Sequence, residues 1–144
     1  MSRSGAIDRI DALLSTVSDP AFVTVVRGEP LALAGTPVLS FWVTSRVNTA
    51  ITLTNSGSTT IFTIRAFFRM QSSQDVRESL ELDVWDAIVN INSALSGDAN
   101  LAGHCSDSRL GTATTGYIDL GGIAFKSVTI PFEVDILEET TITP

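Results

Sequence analysis

The most regular hydrophobic pattern in the chain lies between Asp75 and Leu95. Val76, Leu80, Val84, Ile88, Ile91 and Leu95 are apolar at steps of four, four, four, three and four residues, which is the rhythm of one face of an α-helix. The Ser73 hydroxyl is placed to cap the first turn. Asp75 and Glu78 suit the positive end of the helix dipole, and Gly97 supplies a left-handed stop. Leu82, Trp85 and Val89 widen the apolar stripe beyond the needs of a lone surface helix, so this helix is expected to lie across a sheet. A shorter stripe, Ile7, Ile10, Leu14 and Val17, follows Ser4 as its cap and ends ahead of Pro20. It is expected to pack beside the long helix.

The flanking segments carry the other period. Phe22 to Arg27 is Val-rich and bounded by Gly28 and Pro30. Val38 to Ser45 contains Phe41, Trp42 and Val43, and Ala50 to Thr54 alternates through Ile51 and Leu53. All three read as strands. Asn55-Ser56-Gly57-Ser58 reads as a turn, closing a hairpin with the segment from Thr59 to Met70. There Phe62, Ile64, Ala66, Phe68 and Met70 fill the even positions, while Thr63, Arg65 and Arg69 take odd ones. The even face is expected to receive the long helix. Thr112 to Leu120 is a further strand, and Gly121-Gly122 permits the positive φ of a tight hairpin turn. In the last strand Val128, Ile130, Phe132, Val134 and Ile136 alternate with Thr129, Pro131, Glu133 and Asp135. Pro131 has no N–H for a ladder, which predicts an edge strand or a local bulge, and an edge strand invites another chain. The pattern predicts an α+β fold in one domain over residues 1–144: an antiparallel sheet with two helices on one face, in the order α-β-β-β-β-α-β-β. Residues 138–144 read as a flexible tail. Val47 to Thr49 and Ser106 to Gly111 read as segments ordered on assembly.

Charge changes what such a domain is expected to meet. The chain has 144 residues and a net charge of −7. Phosphate binding needs clustered Lys and Arg, so this balance speaks against gripping nucleic acid, while an acidic wall lets nucleic acid slide past. Only 17% of residues are charged and hydroxyl side chains are plentiful, as in a subunit that buries much of its surface against neighbours. A single cysteine, Cys105, excludes an intrachain disulfide. The first residues do not read as a signal peptide. No apolar run approaches the ~20 residues of a membrane span. The expectation is a protein made and kept in a cytoplasm, away from membranes.

Little chemistry is on offer. His104 and Cys105 are adjacent, but adjacency in a loop does not align a nucleophile, a base and an orienting group, and two ligands are too few for zinc. Glu78, Glu81, Asp83 and Asp86 read as the solvated face of the long helix. Gly121-Gly122 fits no phosphate-binding fingerprint. No catalytic, cofactor-binding or metal-binding residue is assigned. Arg65, Phe67 and Arg69 share the outer sheet face, as do Pro131, Glu133 and Asp135 on the late strand. Arg and aromatic residues are enriched at protein–protein contacts, so these six form the candidate interface. The alternative is an exposed ladder of cross-strand ion pairs.

The elements in sequence resemble one known family. The amphipathic helix from Ala6 to Val17 and the Phe41-Trp42-Val43 strand are followed by Thr60-Ile61-Phe62-Thr63-Ile64-Arg65-Ala66-Phe67-Phe68, leading directly into the long helix with Trp85. Then come Ala99-Asn100-Leu101-Ala102-Gly103-His104-Cys105 and the closing strand from Val128 to Ile136. The whole is similar to the tail terminator (tail completion) proteins of tailed bacteriophages. The Ala99–Cys105 stretch is similar to that family's Leu-Gly-Gly-type turn, with Ala102 where a second glycine is expected. The resemblance implies a non-enzymatic virion protein, assembled in the bacterial cytoplasm, whose homohexameric ring ends the tail tube. Its partners would be copies of itself, the tail tube protein and the head connector or completion protein, with DNA passing through the lumen. The edge of the Val128–Ile136 strand would be the seam. Another neck or tail component, such as a head–tail joining or minor tail protein, fits the same pattern. A small α+β ligand-binding module or enzyme is the alternative from another class.

Overall fold

A computed structural model of the chain describes residues 3–33, 35–50, 55–70 and 74–139. The elements are α1 (Arg3–Leu14), β1 (Thr24–Arg27), β2 (Val38–Ala50), β3 (Asn55–Arg69), α2 (Gln74–Ser96), β4 (Asp107–Leu110), β5 (Thr114–Leu120) and β6 (Ile123–Glu139). The class is α+β, as the periodicities imply, with two helices and six strands. Three strands precede α2 and three follow it. β2 runs from Val38 to Ala50 with a register shift between Val43 and Ser45, and β4 forms within the stretch expected to order only on assembly. Among the described residues, no helix is long and apolar enough to cross a membrane.

The sheet is mixed, not purely antiparallel. Its order is β1-β2-β3-β6-β4, and β5 also pairs with β6. β1 runs parallel to β2, Thr24 opposite Val38 through Arg27 opposite Phe41. A parallel pair cannot be closed by a tight turn and needs a crossover, supplied by residues 28–37. Within it the Ala32 Cβ lies 4.0 Å from the Cβ position of Gly121. The β2–β3 reversal falls between Ala50 and Asn55. Asn55-Ser56-Gly57-Ser58, read as the turn, therefore begins β3, and residues 51–54 lie outside the described residues. Polar turn-forming residues are tolerated there because the ladder bonds their backbone whatever their side chains. Gly121 and Gly122 make the β5–β6 turn at φ 61° and 81°, the left-handed pair that a two-residue hairpin requires.

Burial follows the predicted alternation. Phe62, Ile64, Ala66 and Phe68 of β3 share one buried cluster with Leu39 and Phe41 of β2 and Val128, Ile130, Phe132, Val134 and Ile136 of β6. The same cluster takes Ala6, Ile10, Leu13 and Leu14 from α1, and Leu80, Val84, Ala87, Ile91 and Leu95 from α2. Val38, Phe67 and Phe125 are buried outside it. They lie together on the other face, Val38 opposite Phe67 and the Phe67 ring against Phe125.

The helix ends depart from the expected signals. Ser4 lies inside α1, one residue past its start, rather than ahead of it. Ser73 lies outside the described residues. Gly97 is not left-handed: its N–H donates to the Ser93 carbonyl at 3.3 Å and continues the helical turn. The left-handed residues come later, at Leu101 (φ 49°), Ala102 (φ 56°) and Gly103 (φ 88°). Leu101 is fully buried, so packing offsets its conformation. Ala102 is exposed and has no such return. Left-handed backbone costs an alanine roughly 1–2 kcal/mol, partly matched by the extra chain entropy of glycine in the unfolded state. Ala102→Gly is therefore expected to stabilise the fold by up to about 1 kcal/mol, read as a rise of a few degrees in the thermal unfolding midpoint.

Candidate functional site

The six residues singled out from sequence share one face of β3 and β6, but they do not converge. Arg65 stands opposite Thr129, Phe67 opposite Ser127 and Arg69 opposite Phe125. Further along, Thr63 faces Pro131, Ile61 faces Glu133 and Thr59 faces Asp135. From Arg69 to the Asp135 position is ten residues of strand, roughly 33 Å at about 3.3 Å per residue.

Phe67 is not an exposed interface residue. It is 1% exposed, and its ring packs edge-on against Phe125 with centroids 6.4 Å apart. Arg65 is committed within the chain: its guanidinium lies 5.2 Å from the centre of the Trp42 ring, and its Nε donates to the Thr129 hydroxyl at 3.0 Å. Glu133 and Asp135 pair with Arg109 of the neighbouring β4, at 2.7 and 2.8 Å, rather than with the arginines of β3. This corner is the cross-strand ion cluster of the alternative reading. Arg69 is exposed.

The expectation that β6 forms an open seam is overturned. β6 is interior, with β3 along one side and β4 and β5 along the other. Pro131 marks a bulge in the neighbouring strand. Leu110 pairs with Phe132 and Thr114 with Thr129, so residues 111–113 oppose only residues 130 and 131, and β4 and β5 are separate there. The Pro131 carbonyl still accepts the Gly111 N–H at 2.7 Å, so the side on which proline lacks a donor is the β4–β5 side. Among the described residues, the edges left open are the outer side of β1, that of β2 beyond Phe41, where β1 stops, and the outer side of β4 and β5.

Two aspartates are set by nearby guanidiniums. The hydrogen bond from Arg109 holds the Asp135 carboxyl below the usual aspartate range, with Thr59 donating to it as well. The bond from Arg9 does the same for Asp98, which also accepts the Ala102 N–H. A carboxyl depressed in the folded state adds stability above its unfolded value, about 3.9, and that stability is lost as pH falls through the folded values. The denaturation midpoint is therefore expected to hold from pH 7 to about 4 and to drop below it. In an Arg9→Gln/Arg109→Gln variant the midpoint should start lower and drop less.

Cys105 is buried, and its Sγ–H donates to the Ala99 carbonyl at 3.4 Å. Burial, with Asp107, Asp98 and Asp135 nearby, pushes the thiol up to about 11, opposite to the activation a nucleophilic cysteine requires. His104 lies against Gly5, where a Cβ would meet its ring at 2.4 Å. Among the described residues, no three His, Cys, Asp or Glu side chains group as a metal site would need.

A row of exposed apolar side chains lies on α2. Leu82 is 61% exposed, Trp85 69% and Val89 46%, at spacings of three and four that place them on one helix face. The sequence pattern flags these three as surplus to a surface helix. The sheet does not cover them, because Leu80, Val84, Ala87, Ile91 and Leu95 already make the inward stripe. Beside Val89 a shallow depression lined by Ile88, Leu110, Ala113 and Ile130 lies at the bulged edge. No family model matches the chain, and no curated protein shows significant similarity to it.

Proposed function

We propose that this chain is a structural subunit of a tailed-phage neck, of the tail terminator type, which joins copies of itself into a ring ending the tail tube. The observation that carries the reading is the uncovered Leu82–Trp85–Val89 face on a helix already well packed on its other side. A row of large apolar side chains in water is the signature of a surface awaiting a protein partner. The order of elements, with its resemblance to tail terminators, supports this kind of assembly. The negative balance of −7 suits a lumen through which DNA passes without adhering. In this reading the tail tube protein and the head connector or completion protein meet the two rims of the ring, and no cofactor or reaction is involved.

Electron microscopy of virions carrying an affinity-labelled copy of this chain tests the assignment. Label in a ring between tail tube and head is the expected result. Label along the tail shaft or at its tip moves the chain to another tail component, and virions without label remove it from the particle.

A further inference from the structure

The uncovered face of α2 has a charge as well as a shape. Leu82, Trp85 and Val89 stand at i, i+3 and i+7, the spacing by which one helix face seats in an apolar groove. Acids border this row on both flanks. Glu81 precedes Trp85 by four residues, Glu78 precedes Leu82 by four, and Asp86 follows Leu82 by four, so each neighbours the row on the helix surface. From Glu78 to Ser96, α2 has no lysine or arginine. Glu81 lies 3.8 Å from Lys126, with its own side chain 69% exposed. The Glu78 and Asp86 carboxylates make no ion pair among the described residues.

This pattern selects the class of occupant. Nucleic acid and anionic lipid surfaces carry the same sign and are repelled. A second copy has no basic rim to offer. Its net charge is −7, and its cations are committed within the fold. Arg9, Arg27, Arg109 and Lys126 are in ion pairs. Arg65 lies over the Trp42 ring and donates to Thr129. Arg3 and Arg46 have interactions of their own within the chain, and Arg77 belongs to α2 itself. Among the described side chains that leaves Arg69, and one guanidinium does not make a rim.

We propose that the Leu82–Trp85–Val89 face of α2 docks into an apolar groove rimmed by lysine and arginine on a different protein. Trp85 is the anchor. Its exposed ring also attracts a rim cation directly, and the acids on either flank fix the helix in register with the rim. Val89 continues the contact into the depression lined by Ile88, Leu110, Ala113 and Ile130 at the β4–β5 bulge, so the docking surface runs from the helix to the sheet edge. The inference rests on the reading of this face as a partner surface in the proposed function. It assigns the face to a partner other than a copy, so contacts that close a ring use other surfaces.

The probes are synthetic amphipathic helices of roughly 18 residues, or about five turns, that share one leucine stripe and differ in their rim: lysine, glutamine or glutamate. In calorimetric titration of the full chain, the lysine-rimmed peptide is expected to bind at least about tenfold tighter than the glutamine-rimmed one, and the glutamate-rimmed one not at all. Trp85→Ala should weaken the lysine-rimmed peptide about 30-fold or more, with circular dichroism unchanged because the side chain is exposed. Glu78→Gln/Glu81→Gln/Asp86→Asn should weaken it about tenfold. Glu29→Gln/Asp107→Asn/Asp119→Asn removes the same charge from exposed positions elsewhere and should leave it within about twofold. Equal losses in the two triple variants would reduce the contact to net charge and overturn the proposal, as would a lysine rim that binds no tighter than a glutamine rim. Light scattering is expected to give the wild type and Trp85→Ala the same mass. Self-association lost with Trp85 would make a second copy the occupant, and phosphatidylglycerol vesicles bound through Trp85 would make it lipid; either overturns the proposal. The ring of the proposed function is read separately, from label in virions, and its failure would leave the peptide titration unchanged.

Discussion

Phe67→Ala is expected to lower the unfolding free energy by about 3–5 kcal/mol, the range for truncating a buried aromatic. Self-association of the remaining folded protein should be unchanged. The two alternatives for this residue differ in sign as well as size. As one member of an exposed Arg-Phe-Arg face, Phe67 would cost little stability when truncated, and its loss would weaken contacts with a partner. In the fold it is 1% exposed, set edge-on to Phe125 and opposite Val38. Its neighbourhood is a second, smaller apolar cluster on the face away from the helices. This cluster is small, with Val38 and Phe125 as its other buried apolar members, so it has few residues with which to refill a cavity. Chemical denaturation of the variant, with light scattering at matched folded concentration, separates the two. An unchanged denaturation midpoint would return Phe67 to the surface.

What the sequence discloses and what it hides divide along a physical line. α2, β3 and β6 are legible because each buries one face in the same core, and burial of one face writes a period into the residues. Even positions from Phe62 to Phe68 and from Val128 to Ile136 are buried as the alternation requires. Features held by backbone alone leave no such record. β4 is a short polar strand, Asp107–Leu110, whose identity rests on its ladder to β6. The parallel pairing of β1 depends on a crossover that no local pattern encodes. The exposed face of α2 was visible as an excess of apolar residues, but excess does not say whether sheet or partner covers it. Only the placement of Leu80, Val84 and Ile91 against the sheet decides that Trp85 points to water. A cavity beneath Val43 combines α1, β2, β3 and β6, and residues so far apart in sequence cannot be seen to converge before the fold is known.

Pro131 illustrates the same division, and it carries the other large effect. A proline that cannot donate a ladder bond can sit at a sheet edge or opposite a break in its neighbour, and the sequence permits both. The fold takes the second course, which moves the constraint onto Gly111. A Cβ at position 111 would stand 2.7 Å from Pro131 Cγ and 3.5 Å from its Cβ and Cδ. The proline ring belongs to an interior strand bonded along its other side to β3, so it cannot retreat as the end of a flexible side chain would. Gly111→Ala is expected to destabilise by about 1–3 kcal/mol, the range for overpacking in a well-packed site. Pro131→Ala removes the ring atom that makes the nearest contact. In the Gly111→Ala/Pro131→Ala double variant most of the Gly111→Ala cost should therefore disappear, giving a coupling of about 1 kcal/mol or more between two residues in contact. Urea denaturation of the two single variants and the double variant measures that coupling. Additive changes would mean that the ring and residue 111 do not meet. The bulge that separates β4 from β5, and with it the bed of the depression beside Val89, would then need a cause other than proline.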